Sequence, residues 1–179
     1  MNSKEKYVMK KQTKALATIM AAATLAMASA VTSFANTGWL NVQSKWYYYD
    51  GAGSSIRNQW VQEGDNLFWL KDNGEMAIQS WVKFDDSWYW VNAQGAMVTD
   101  SWVPITNEWY YVGQDGKMLA NTWFVYNNHT YYFTASGAAA RGWVEIEGQW
   151  HYFDRNNGDM KASTTIDGYK LDENGIYVQ

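Results

Sequence analysis

Two consecutive stretches decide the fold: SWVKFDDSWYWVNAQGAMVTD, residues 80–100, and SWVPITNEWYYVGQDGKMLAN, residues 101–121. Trp81 and Trp102, Trp88 and Trp109, Gly95 and Gly116, and Met97 and Met118 each stand 21 residues apart. The phase extends in both directions. Trp39, Trp60, Trp81, Trp102, Trp123 and Trp143 are separated by 21, 21, 21, 21 and 20 residues, a period that signals a repeat architecture. Seven to nine residues after each leading tryptophan comes a triplet: Trp46-Tyr47-Tyr48, Leu67-Phe68-Trp69, Trp88-Tyr89-Trp90, Trp109-Tyr110-Tyr111, Thr130-Tyr131-Tyr132 and Trp150-His151-Tyr152. A glycine follows in every unit (Gly53, Gly74, Gly95, Gly116, Gly137, Gly158), and the sixth loop carries one extra residue. Two positions beyond that glycine stand Met76, Met97, Met118 and Met160, with Ser55 and Ala139 in the remaining units. A shortened seventh unit, residues 163–179, lacks the leading tryptophan and reads as the terminal cap that stacked repeats require.

Short aromatic and β-branched runs alternate with Gly, Asn and Asp clusters and nothing has helical periodicity, so each unit is expected to be a β-hairpin plus a loop. Asp72-Asn73-Gly74, Gln114-Asp115-Gly116 and Asn157-Gly158 suit left-handed turn geometry. With strands at Trp39–Gln43 and Trp46–Asp50 about Ser44-Lys45, period-two alternation sets Trp39, Trp46 and Tyr48 on one face and Leu40, Val42, Tyr47 and Tyr49 on the other. A lone hairpin is at best marginally stable, so the units must stack. The predicted architecture is all-β: a solenoid of six hairpins starting near 38, 59, 80, 101, 122 and 142, plus the cap, preceded by a helical signal peptide. Part of the aromatic area serves as glue between units. Its segregation to one face, where Val and Ile would serve equally as glue, points to a row of binding sites.

Composition excludes other classes. Of 179 residues 17% are aromatic and 18% charged, too apolar for a disordered chain, and no cysteine is present for disulfides or thiolate chemistry. Residues 1–35 hold five lysines, one acid and the apolar stretch from Ala15 to about Ala30, the layout of a secretory signal peptide. Cleavage is expected after Ala35, with Ala28-Ser29-Ala30 offering a second site. Residues 36–179 retain 9 basic and 17 acidic groups, a net charge of −8 that argues against nucleic acid, and no later apolar run spans a membrane.

An aromatic cage suits a quaternary ammonium, whose methyl-wrapped charge donates no hydrogen bond and is held by π faces, with a thioether filling the gap. Gly38-Trp39, Gly142-Trp143, Trp109-Tyr110-Tyr111 and the Gly-x-Met runs at 74–76, 95–97 and 116–118 resemble the choline-binding, or cell-wall-binding, repeat family. The resemblance covers essentially all of residues 36–179. It implies a left-handed β-solenoid in which choline from teichoic acid sits between consecutive units, caged by the leading Trp and first aromatic of one unit, the third aromatic of the next, and often the loop Met.

Carried over, this gives Trp81, Trp88 and Met97 with Tyr111; Trp102, Trp109 and Met118 with Tyr132; and Trp39 and Trp46 with Trp69, where Ser55 replaces the methionine. Lesser sites are Trp60 with Met76 and Trp90, where Leu67 is the second wall; Trp123 with Tyr152, where Thr130 is; and Trp143 with Trp150, walled by Tyr169 or Leu171. Gln59, Ser80, Ser101 and Thr122 stand where the family's pattern has glycine before the leading tryptophan. Similar repeats in glucan-binding proteins and clostridial-type toxins hold carbohydrate, which keeps a surface glycan as the alternative ligand. The methionines and paired tryptophans favour the cation.

No catalytic constellation is apparent. His129 and His151 stand at different positions of different units, and neither suits a metal. Asp154–Gly158 lacks the later glutamate of a calcium loop and reads as a turn, and Asp85-Asp86 and Glu145-x-Glu147 fall near hairpin tips. The expected protein is a secreted, non-catalytic module without cofactor, non-covalently associated with the cell wall through a choline-bearing polymer.

Overall fold

The computed structural model describes residues 37–178. The expected signal peptide, with both expected cleavage sites, lies outside the described residues. Six antiparallel hairpins follow one another: β1 (Gly38–Val42) with β2 (Lys45–Tyr49), β3 (Gln59–Glu63) with β4 (Asn66–Leu70), β5 (Ser80–Phe84) with β6 (Ser87–Val91), β7 (Ser101–Ile105) with β8 (Glu108–Val112), β9 (Thr122–Tyr126) with β10 (His129–Phe133), and β11 (Gly142–Ile146) with β12 (Gln149–Phe153). A three-stranded sheet follows, formed by β13 (Thr165–Ile166), β14 (Tyr169–Leu171) and β15 (Tyr177–Val178). None of the described residues is helical.

The first hairpin differs from expectation by one residue. Its strands end at Val42 and restart at Lys45, so the turn is Gln43-Ser44, with φ of 50° and 62°. Asp85-Asp86 (47° and 60°) and Asn127-Asn128 (48° and 63°) do the same. Two consecutive left-handed residues twist the turn in the sense the flanking strands require. Trp39 therefore pairs with Tyr48, and Asn41 with Trp46. Because the shift moves both strands together, every side chain keeps its expected face. In the third hairpin Trp81, Trp88 and Trp90 share one face, and Val82, Tyr89 and Val91 the other.

Stacking rests on the loop after each hairpin. Met76, Met97, Met118, Ala139 and Met160 each donate a main-chain hydrogen bond of 2.8 Å to the preceding unit, at Trp46, Leu67, Trp88, Trp109 and Thr130 respectively. The next residue turns back to its own hairpin, as Ala77 does to Trp69 and Val98 to Trp90, both at 2.8 Å. Each loop thus bridges two hairpins through the backbone. The core is the column one residue past the aromatic triplet: Leu70, Val91, Val112, Phe133, Phe153 and Leu171 are wholly or almost wholly buried. Val61, Val82 and Val103 form a second buried column beside it.

The Gly-x-Met spacing has a packing cause. At Gly95 φ is +82°, and a Cβ there would lie 2.6 Å from Met76 Cε; at Gly175 φ is +74°, and a Cβ would lie 2.7 Å from Met160 Cε. The methionine of one unit rests on the loop glycine of the next. In the sixth loop the extra residue is taken up by a wider turn, in which Gly158 donates to the Asp154 carbonyl and the Asp154 side chain accepts from the Asn156 and Asn157 main chain at 2.8 and 3.3 Å.

Replacing Gly95 by Ala combines left-handed strain with a clash against Met76, and is expected to cost about 1–3 kcal/mol in urea unfolding. Gly51→Ala, with open space around it, is the control and should change stability by less than about 0.5 kcal/mol.

Candidate ligand cages between consecutive hairpins

Each cage is built from two opposed faces. The leading tryptophan and first aromatic of a unit lie on the face turned toward the next unit, whose middle aromatic points back. Trp39 meets Phe68 at 5.2 Å between ring centroids, Trp60 meets Tyr89 at 5.5 Å, Trp81 meets Tyr110 at 5.3 Å, Trp102 meets Tyr131 at 5.0 Å, and Trp123 meets His151 at 5.1 Å. All five are edge-to-face, with interplanar angles of 66–75°.

The expected third wall is therefore corrected by one residue. Trp69, Trp90, Tyr111, Tyr132 and Tyr152 do not close the preceding unit's cage. They lie directly across the strand pair from their own leading tryptophans, at 5.1–5.3 Å, and back those rings. Strand parity is the cause: neighbouring residues face opposite ways, so only the middle member of the triplet points at the preceding unit. Tyr111 is buried, packed on Phe124 at 4.4 Å, and donates its hydroxyl to Asp100 Oδ1 at 2.7 Å.

The first aromatic is the exposed wall. Trp46, Trp88, Trp109 and Trp150 are 37–44% exposed; the carbonyls of the first three accept the inter-unit hydrogen bonds, and Trp150 stands beside His151, which bridges Ile176 of the end sheet. Trp46 and Trp109 stand edge-on to Trp39 and Trp102 at 6.5 and 6.3 Å. In the fourth gap Tyr126 adds a further ring, 6.0 Å from Trp102. Met97 and Met118, the methionines expected at the third and fourth cages, rest on Gly116 and Gly137 of the following loops, and the loop residues whose main chain bonds Trp88 and Trp109 are Met118 and Ala139.

Substitution makes two gaps different. Leu67 accepts the loop hydrogen bond from Met97 and Thr130 accepts that from Met160, so the stack is kept where the ring is lost. With Thr130 in place of an aromatic, Trp123 becomes the leading tryptophan left openly exposed. The middle ring there is His151, buried to 5% exposure, and that burial pushes its imidazole below the ordinary histidine range. Its Nδ1 has no hydrogen-bond partner. Trp143 and Trp150 meet Tyr169 and also Tyr177, a residue the sequence reading passed over, while Leu171 lies in the core. The spacing held the signal: Tyr177 follows Gly175 by two, the place methionine takes elsewhere. Among the described residues no group of three or more His, Cys, Asp or Glu gathers as a metal site.

Burial, followed by the bond to Asp100, raises the Tyr111 hydroxyl to a pKa of about 12. In the unfolded chain tyrosine ionises near 10, so folding binds the proton more tightly, and stability falls as pH rises from about 10 through about 12. Tyr111→Phe is expected to flatten the alkaline limb of a pH series of urea midpoints over that window.

Comparisons with known proteins bear on the repeat and its fold. Choline-binding repeat models match residues 54–96, 81–117 and 125–171, and a cell wall binding repeat model matches residues 37–55. Choline-binding protein F of Streptococcus pneumoniae is 30% identical with a TM-score of 0.68, over 80% of this chain and 48% of that one. The same protein in the presence of a peptidoglycan analogue, a tetrasaccharide-pentapeptide, is 30% identical with a TM-score of 0.67, over 80% and 47%. CbpJ from Streptococcus pneumoniae TIGR4 is 30% identical with a TM-score of 0.60, over 80% and 58%. The chain spans about half the length of these solved relatives, and no curated protein matches it. Repeat models matched in succession along the hairpins and solved relatives with the same stack lead to one conclusion: the chain belongs to the choline-binding repeat family.

Proposed function

We propose that the protein is an exported, non-catalytic module that attaches to a choline-bearing cell-wall polymer by holding the quaternary ammonium in the gaps between consecutive hairpins. The observation that carries this reading is the convergence of exposed tryptophan edges and an opposed ring at one gap: Trp102, Trp109, Tyr126 and Tyr131, with centroids 5.0–6.3 Å from Trp102. Trp39, Trp46 and Phe68 repeat the arrangement, and in the third gap Trp81 meets Tyr110 in the same way with Trp88 on the same face of its hairpin. A cation enclosed on several sides by π faces gains about 0.5–2 kcal/mol per ring, which leaves a single cage weak, in the millimolar range. Several cages meeting a polymer with repeated ligands raise retention by about a hundredfold or more without new contacts.

A carbohydrate reading is favoured at the fifth gap, where Trp123 offers an open platform on the same hairpin face as the polar Thr130 and one aromatic wall is missing. Sugars take a flat aromatic surface with a few polar groups, whereas a cation takes enclosure. Export through removal of residues 1–35 belongs to the same proposal and rests on the lysine-rich start and apolar stretch.

The test is retention on a choline-substituted resin with elution by free choline, run beside a glucan resin. The parent is expected to bind the first and pass the second. Trp88→Ala combined with Trp109→Ala removes two exposed walls while leaving the buried columns intact, so retention should fall at least about tenfold with little change in the unfolding midpoint. A parent that binds glucan and ignores choline overturns the reading.

A further inference from the structure

The gap between the sixth hairpin and the end sheet is walled differently from the others. Trp143 and Trp150 meet Tyr169 and Tyr177 around a cavity of about 310 Å³. Ring centroids lie 5.7 Å apart for Trp143 and Tyr169, 6.3 Å for Trp143 and Tyr177, and 5.5 Å for Tyr169 and Tyr177. All three pairs stand near perpendicular, at 78–84°. Tyr169 takes the middle-aromatic place, because Leu171 two residues on lies in the buried column as Val91 does after Tyr89. Tyr177 stands two residues past its loop glycine, the place held by Met118 in the loop bonded to Trp88 and by Ala139 in the loop bonded to Trp109, so the terminal gap gains a π face there while keeping the Met160 thioether seated on Gly175. Trp150 is 44% and Tyr169 52% exposed, leaving ring surface open to an occupant.

Charge at the rim points the same way. Trp150 pairs across the hairpin with Glu145, and Trp88 pairs with Lys83. Directly opposed residues share a face with their Cβ atoms about 5 Å apart. A carboxylate therefore stands beside the terminal cage where an ammonium stands beside the third. The equivalent position holds Asn41, Gln62, Pro104 and Val125 in the other hairpins, so the sixth alone sets an acid there.

We propose that this terminal gap is the tightest quaternary-ammonium site of the protein, with Tyr177 and Glu145 as its specificity-determining residues, and that an occupied cage fastens β15 to the sixth hairpin. This rests on the functional reading above and names the gap that dominates it. Four rings enclose the cation where three or fewer do in most other gaps, and the nearby carboxylate adds an attraction that salt weakens. β15 pairs with β14 through two residues, Tyr177 and Val178, and a single bridge from Ile176 to His151 ties it to β12. A ligand that binds the assembled cage and not the opened strand holds that strand closed in proportion to its concentration over Kd.

Choline chloride is titrated into the whole protein and followed by tryptophan fluorescence and by amide exchange. Trp150→Ala is expected to weaken the tightest phase at least about tenfold, and Tyr177→Met about fivefold, while Tyr177→Phe retains it. Glu145→Lys should weaken that phase several-fold at low salt, with the difference shrinking toward 1 M salt. Exchange at residues 175–178 should slow with choline in the parent and not in Trp150→Ala. A tightest phase that survives Trp150→Ala but is lost in Trp88→Ala overturns this assignment and leaves the functional reading standing. Absence of any choline phase in the parent overturns both.

Discussion

Every hairpin after the first is locked to its predecessor by a main-chain hydrogen bond from a loop, and without that bond no hairpin would persist. A two-stranded hairpin with five-residue strands buries too little surface to persist in water. The 2.8 Å bonds from Met76 to Trp46, Met97 to Leu67 and onward give every hairpin a partner made of backbone, and the following residue ties the same loop to its own strands. Spacing between units is thereby set before any side chain is chosen. The buried column from Leu70 to Leu171 and the methionines lying on loop glycines fill the space so defined.

Because the ladder is main chain, scaffold and sites vary independently. Leu67 and Thr130 accept their loop hydrogen bonds as Trp46 and Trp88 do, although neither supplies a ring. The stack survives such substitutions while the chemistry of the gap changes, from an enclosed cage at Trp102 to an open platform at Trp123. A column of nominally equivalent gaps becomes a set of sites with different walls: phenylalanine, tyrosine or histidine pointing back, and methionine, alanine or tyrosine beside the loop glycine. Repeat proteins put binding surface on a rigid, additive frame, and here the frame leaves one edge of each tryptophan in water.

The rows of aromatic residues divide by role. Third-position rings, Trp69 through Tyr152, lie across from their own leading tryptophans and hold those rings in place. Tyr111 shows how far that role extends: it is buried, hydrogen-bonded to Asp100, and packed against Phe124 of the next unit. First-position tryptophans have little to hold and remain two-fifths exposed. Middle rings bridge between units. One aromatic triplet thus supplies a support, a wall and a bridge through alternation alone.

The period, the hairpin, the loop glycine and the two faces are legible in the residues alone, because a 21-residue phase, left-handed turn residues and period-two alternation are local properties that survive reading one unit at a time. Which ring crosses a unit boundary was not local. The sequence shows that Tyr110 and Tyr111 face opposite ways, but only the direction of stacking decides that Tyr110 points back to Trp81 and that Tyr111 backs Trp102. The same holds at the end of the stack. Gly175-Ile176-Tyr177 follows the spacing of Gly-x-Met, yet its tyrosine acquires a role only when β15 folds onto β14 and brings that ring within 6.3 Å of Trp143, a meeting of residues 34 positions apart that no pattern within a single unit encodes.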